Sequence, residues 1–208
     1  MTEPLIQGFI YFQKGGIVMY LLLLISIFIV SLGIERYLYF RSADSGRFFT
    51  QHFTTLMEQG NFNQAITWIN NNSKGNLAHI LLHAINKLDA GQTITAFLET
   101  QTNIAIAQFR KRLYYLNVVI TIAPLLGLLG TISGMIKSFS IFNLNAEQPA
   151  AITGGVGEAL IATAMGLCVA VTALLVHAYF IQRLDIIITD MEYCFSLLEE
   201  EQERRNTL

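Results

Sequence analysis

Three stretches of this chain run apolar for the length of a membrane span, and the residues between them follow an amphipathic helical rhythm. The first, "GGIVMYLLLLISIFIVSLGIERYLYFR", carries no charge from Ile17 to Ile34. Such a run makes about 27 Å of helix, close to the hydrocarbon thickness of a bilayer. Lys14 is the only basic residue ahead of it, and Glu35-Arg36 follows where a cleavage site would need small residues. It therefore reads as a retained span and not as a signal peptide. The second run is uncharged from Leu113 to Ile136, behind Arg110, Lys111 and Arg112, with Tyr114 and Tyr115 where an interfacial aromatic belt belongs. Pro124 inside it frees a carbonyl near Ile120 and is expected to bend the helix. Lys137, at its far end, is long enough to snorkel to water. The third run extends from about Ile152 to Phe180 and contains Glu158.

Between the first two runs the period becomes that of half-buried helices. "FFTQHFTTLMEQGNFNQAITWINNN" holds two apolar-periodic pieces broken at Gly60-Asn61, and "NLAHILLHAINKLDAG" is a third, stopped by Gly91. From Thr93 a further helix is expected to run straight into the second span. Beyond the third span, Leu184, Ile187, Ile188, Met191, Phe195 and Leu198 form a stripe opposite Asp185, Asp190 and Glu192. This predicts a helix leaving the membrane and ending in the solvated "EEEQERR".

The expected fold is an all-α membrane protein with three transmembrane helices, a helical cytoplasmic loop and a long C-terminal helix. Its segments are an outer N-terminus (1–15), span one (16–40), a cytoplasmic helical segment (41–112) and span two (113–140). An outer loop (141–152), span three (153–180) and a cytoplasmic helix and tail (181–208) complete it. Lys and Arg set the orientation. The 36–112 segment holds Arg36, Arg41, Arg47, Lys74, Lys87, Arg110, Lys111 and Arg112, and the tail adds Arg183, Arg204 and Arg205. The opposite side has Lys14 and Lys137. The positive-inside bias places the N-terminus outside and the 36–112 segment in the cytoplasm.

Composition agrees with the pattern. The chain is 53% hydrophobic and 13% charged, about half the charge of an ordinary soluble domain. Mean hydropathy is +0.47. A net charge of −2 leaves no strongly basic surface for nucleic acid. Cys168 and Cys194 make no disulfide framework: on one helix they would lie about 39 Å apart. They read as inert thiols. His79 and His83 would share a helix face, but a zincin motif needs Glu where Ile80 stands, so they read as packing residues and no metal is expected. "GLLGTISGMIKS" ends in Lys-Ser but has Ile136 before Lys137, so it is not a phosphate loop. No nucleotide fingerprint and no catalytic grouping of Ser, Cys, His and Asp is present. Neither an enzyme nor a cofactor is expected.

Small residues form seams instead. On the third span Gly155, Ala159, Thr163, Gly166, Ala170 and Ala173 recur at steps of three and four. Gly127, Thr131, Gly134 and Ser138 do so on the second, with Gly130 beside them. Such stripes let helix backbones approach where lipid removes the hydrophobic advantage of association. Each seam carries a threonine near its middle, able to relay a hydrogen bond where water is scarce. Glu158 sits on the shoulder of its stripe, roughly 9 Å below the outer surface. An ionisable residue inside a span points to a proton or ion pathway, and burial would raise its pKa towards neutrality. The bland alternative is a glutamate that reaches the outer interface.

Three stretches together resemble the MotA/TolQ/ExbB proton-channel family, and most closely its ExbB-like members: the first span as quoted, "APLLGLLGTISGMIKSF" and "GVGEALIATAMGLCVAVTALLVHAYF". The likeness covers the whole chain. Departures are Ser133, where several members have a bulkier residue, Lys137, and Thr172-Ala173, where a proline is frequent. The resemblance implies a homo-oligomer, a pentameric ring in the cytoplasmic membrane of a Gram-negative bacterium. That ring would surround the single spans of two ExbD-like partners, each with an essential aspartate, with a TonB-like protein carrying the output to outer-membrane receptors. It implies that Thr131, Glu158 and Thr163 line a proton pathway. It leaves Gly127, Gly130, Gly134, Gly155, Ala159, Gly166 and Ala170 for ring assembly, and Glu35, Arg36, Arg110, Lys111 and Arg112 at the cytoplasmic interface. A TolQ-like role in envelope integrity and a non-conducting scaffold remain alternative readings.

Overall fold

The computed structural model describes the backbone of residues 16–72, 74–144 and 149–207, and their side chains except those of 141–144, 149–153 and 158. The expected outer N-terminus, 1–15, lies outside the described residues. Among these the chain is helical, without strands. The helices are α1 (Gly16–Ala43), α2 (Arg47–Glu58), α3 (Phe62–Asn71), α4 (Asn76–Asp89), α5 (Thr95–Arg110), α6 (Leu113–Leu144) and α7 (Pro149–Thr207). Among the described residues three helices are long and apolar enough to cross a membrane. Helix α6 extends to Leu144 and α7 begins at Pro149, so both reach into the segment expected as the outer loop, 141–152. Pro149 begins α7, a position where its missing N–H costs nothing.

The chain divides into two compact units. Residues 16–34 and 112–178 form the first, which is the apolar one. Along α1, Val18, Met19, Leu22, Ile29 and Leu32 are buried at helical spacing. Ile17, Leu21, Leu24, Ile27 and Ile34 on its other faces are exposed. A helix apolar all round, with half its surface uncovered, suits a lipid solvent. The first span is thus not purely lipid-facing: a Cβ on Gly33 would touch Val176, and one on Gly130 would touch Val18. Phe28 meets Tyr115 edge-on at 6.4 Å. These contacts run α1 antiparallel to α6 and parallel to α7.

Residues 35–111 and 179–207 form the second unit, in which α2 to α5 pack with the distal half of α7. Phe180, Leu184, Ile187, Met191, Cys194, Phe195 and Leu198 are its buried stripe. Polar contacts fix the register along that stripe. Arg183 pairs with Asp44 at 2.7 Å, Tyr193 donates to Glu58, and Arg205 pairs with Asp89 at 2.9 Å. Gln202, buried, accepts from the N–H of Ile94 at 3.2 Å. Gly60 ends α2 at φ +73°, where the Asn61 N–H reaches the Leu56 carbonyl and the Gly60 N–H that of Met57. Left-handed backbone favours glycine at such an ending. Gly75 is needed twice over: its φ is +86°, and a Cβ there would stand 2.7 Å from the backbone of Ser45.

Helix α5 does not continue into α6. Lys111 leaves the helical region at φ −52°, ψ 131°, and Arg112 takes φ +74°. The run of apolar and polar positions is unbroken across this point, so the pattern concealed it. The break strips carbonyls of their helical partners, and Arg36 reaches the one on Lys111.

Candidate functional site

The small-residue seams of α6 and α7 face each other, antiparallel. A Cβ on Gly166 would meet the Ala123 carbonyl oxygen at 2.6 Å and the Gly127 Cα at 3.0 Å. One on Gly127 would meet the Ala162 carbonyl oxygen and the Thr163 Cα, both at 3.1 Å. One on Gly134 would stand 3.1 Å from the Gly155 carbonyl oxygen and 3.2 Å from the Ala159 Cβ. Gly155 lies under the Ser138 hydroxyl, and Gly130 under the Ala162 methyl. Backbone therefore lies on backbone for several turns. Ala159, Ala162, Ala170 and Ala173 are buried along the same face of α7. Van der Waals contact at this range drives helix association in lipid.

Two details differ from the sequence pattern. The buried stripe of α6 runs through Gly127, Gly130, Gly134 and Ser138, with Thr131 half-buried at its edge. Ala123 and Ala162, which the pattern did not single out, complete the contact. Their signal was there in the period, since Ala123 precedes Gly127 by four and Ala162 follows Ala159 by three.

The two threonines are bonded differently. Thr163 donates from Oγ1 to the Gly127 carbonyl at 3.2 Å, across the helix pair. Such an interhelical bond contributes about 0.6 kcal/mol. Thr131 donates to the Leu128 carbonyl of its own helix at 2.6 Å. Each hydroxyl proton is thus held by backbone, while each oxygen keeps the capacity to accept. Position 158 falls on α7 three residues after Gly155 and four before Ala162; the side chain of Glu158 lies outside the described residues.

In the second unit, Arg36 is only 4% exposed. It donates to the Lys111 carbonyl at 2.9 Å and to Glu35 Oε1 at 2.9 Å, and lies 4.7 Å from the centre of the Tyr39 ring. A buried guanidinium needs such partners, because an unpaired charge there is costly. Of the remaining basic residues expected at this level, Arg110, Lys111 and Arg112 are exposed. Two sets of predicted residues therefore separate, the seam on α6 and α7 and the arginine clamp at the α5–α6 break.

A chain with three apolar helices among its described residues, two of them joined backbone to backbone through small residues, is a multi-pass membrane protein. Residues 71–193 match the MotA/TolQ/ExbB proton channel family, and the chain belongs to it. It is 35% identical over 169 residues to the biopolymer transport protein ExbB-like 3 of Synechocystis sp., covering 78% of this chain and 80% of that one. It is 28% identical over 177 residues to the ExbB homolog of Methanothermobacter thermautotrophicus, covering 84% of this chain and 63% of the relative. With the biopolymer transport protein ExbB of Neisseria gonorrhoeae it shares 31% over 104 residues, 48% of this chain and 47% of the other. Against these last two, the matched part is less than two thirds of the relative's own length.

Proposed function

We propose that the chain is the ring-forming subunit of a motor in the cytoplasmic membrane, driven by the proton-motive force. Five copies surround the single spans of two ExbD-like proteins, and a TonB-like protein carries the output to outer-membrane transport. The N-terminus faces the periplasm and the second unit the cytoplasm. The chain performs no covalent chemistry and needs no cofactor. The observation that carries this reading is the α6–α7 seam, a closely packed pair within the spans of a proton-channel family member, with position 158 on its helix. Descriptions of the relatives as biopolymer transport proteins support the output. The driving force suffices, since one charge crossing 100 mV yields about 2.3 kcal/mol.

In this reading Glu158 handles protons, and Thr131 and Thr163 supply hydroxyl oxygens along the way. Its test is a series at position 158. Glu158→Ala abolishes energy-dependent uptake at unchanged protein level and ring size. Glu158→Gln keeps the shape but cannot release a proton, and fails almost as badly. Glu158→Asp keeps the charge one methylene away and retains part of the activity. Uptake is measured in cells that make the variants and the partners at equal abundance. Wild-type uptake by the Gln variant would remove Glu158 from proton handling. Native mass spectrometry tests the ring separately, and monomers alone would refute it.

A further inference from the structure

We propose that His79 and His83 bind a divalent transition-metal ion of the zinc and copper class. Both lie on α4, four residues apart, and both are exposed, so they are not the packing residues that the sequence pattern suggested. At that spacing their Cβ atoms stand about 5–6 Å apart on one face, a separation that two imidazoles sharing one ion can bridge. The pair also borders one cavity of about 330 Å³, whose opposite wall is Phe97, Gln101, Ile104 and Gln108 of α5. A hydrated ion fits there, since a water molecule's share of liquid volume is about 30 Å³.

The surroundings favour an ion over its exclusion. No lysine or arginine borders the cavity. Lys87, one turn beyond His83, is not among the lining residues; its ammonium is engaged by Gln92 at 3.2 Å and lies 5.3 Å from the centre of the Phe97 ring, which forms part of the cavity wall. Gln108 already accepts from the Tyr39 hydroxyl at 3.4 Å. Gln101 across the cavity, and Asn76 one turn before His79, are the amides whose oxygens can complete the shell together with water.

Among the described residues no three His, Cys, Asp or Glu come together to enclose an ion. The site is consequently open, with two protein nitrogens and exchangeable oxygen ligands. Such a donor set suits zinc or copper and not magnesium or calcium, which take oxygen. The isoleucine at position 80 excludes a zincin-type hydrolase, because it removes the general base. It does not remove the imidazoles. An ion that drew in Gln101 would tie α4 to α5.

The test is titration of the full chain in detergent micelles with Zn²⁺ against a zinc indicator at neutral pH. Wild type is expected to bind saturably, and His79→Ala and His83→Ala each to lose more than ~10-fold in affinity. The double variant is expected to lose this binding, while His52→Ala and Cys168→Ser keep it. Both histidines are exposed, so circular dichroism should show unchanged helix content. Zinc binding by the double variant equal to wild type overturns the proposal, as does the absence of saturable binding in wild type. Displacement of Zn²⁺ by equimolar Mg²⁺ would overturn the assigned ion class.

Discussion

The close approach of α6 and α7 predicts a graded response to single methyl groups. At Gly166 the added Cβ stands 2.6 Å from the Ala123 carbonyl oxygen and 3.0 Å from the Gly127 Cα. Ordinary contact begins near ~3.5 Å, so the helices must part locally by about 0.9 Å. The obstacles are backbone atoms and cannot rotate away. Overpacking of this kind costs up to about 3 kcal/mol. Alanine returns about 1 kcal/mol through its better helix propensity. The expected net loss for Gly166→Ala is therefore about 2 kcal/mol. Gly127→Ala and Gly134→Ala, with nearest contacts of 3.1 Å, should cost less. At Gly155 the nearest obstacle is the Ser138 hydroxyl, which can rotate only by giving up its bond to the Gly134 carbonyl, and that carbonyl oxygen itself stands 3.1 Å away, so the cost should match that at Gly134. Gly154 has nothing within 4 Å of its added Cβ, and Gly154→Ala should be neutral or stabilising. The assay is reversible unfolding by SDS titration in mixed micelles, followed by far-UV circular dichroism, with micelles in excess so that chains stay apart. A Gly166→Ala chain as stable as wild type, or Gly154→Ala as damaging as Gly166→Ala, would refute the seam.

Three further outcomes follow from the second unit. Arg36→Ala removes the donor to the Lys111 carbonyl, a charged hydrogen bond of about 1.5–3 kcal/mol; trypsin should then cut faster after Lys111 and Arg112, with Arg36→Lys intermediate. Desolvation by burial raises the pKa of Asp190 above its ordinary 3.8, against a lowering by Arg47 and with a smaller raising by Asp44. The folded state therefore binds the proton more tightly, so the stabilisation it brings is complete below 3.8 and lost as pH rises through the raised value. Asp190→Asn should flatten that part of the stability profile, and an unchanged profile would exclude the effect. Burial also pushes up the Cys194 thiol, which is 0% exposed. In a Cys168→Ser background it should react with maleimide only after unfolding.

Much of this fold was legible because a bilayer leaves so few choices. Apolar length alone marked three spans, and Gly60 and Gly91 marked the ends of α2 and α4 by the left-handed backbone they supply. What stayed hidden depends on contacts distant in sequence. At the α5–α6 break the Lys111 carbonyl accepts from Arg36, 75 positions away in sequence. Nothing in the local run "QFRKRLYYL" sets it apart from a continuous helix, since the positive φ falls on an arginine and not on a glycine. Helix also continues beyond the expected spans, in α6 to Leu144 and in α7 from Pro149. Asn143 and Pro149 look like loop residues by composition, yet a proline in the first helical turn and a polar residue in the last one cost little.

The seam shows how far spacing carries and where it stops. Steps of three and four fix which residues share a face, and they group Gly127 with Gly134 and Gly155 with Ala159, four residues whose backbones or methyls meet across the pair. They cannot distinguish position i+3 from i+4 when both are small or polar, as with Gly130 and Thr131. The partner helix decides that choice: Ala162 presses on Gly130, leaving Thr131 at the edge with its proton on its own helix. Thr163 occupies the equivalent place on α7, yet finds the Gly127 carbonyl because glycine leaves that backbone open to approach. Two threonines paired by sequence position thus have different duties, and substitutions can tell them apart. Thr163→Val removes an interhelical bond as well as a hydroxyl, so it should lower stability by about 0.6 kcal/mol, whereas Thr131→Val should leave the helix pair intact. If Thr131→Val nevertheless abolishes energised uptake at wild-type stability, its hydroxyl acts outside the packing of its own chain. Equal stability losses in the two variants would instead show that the seam extends across both.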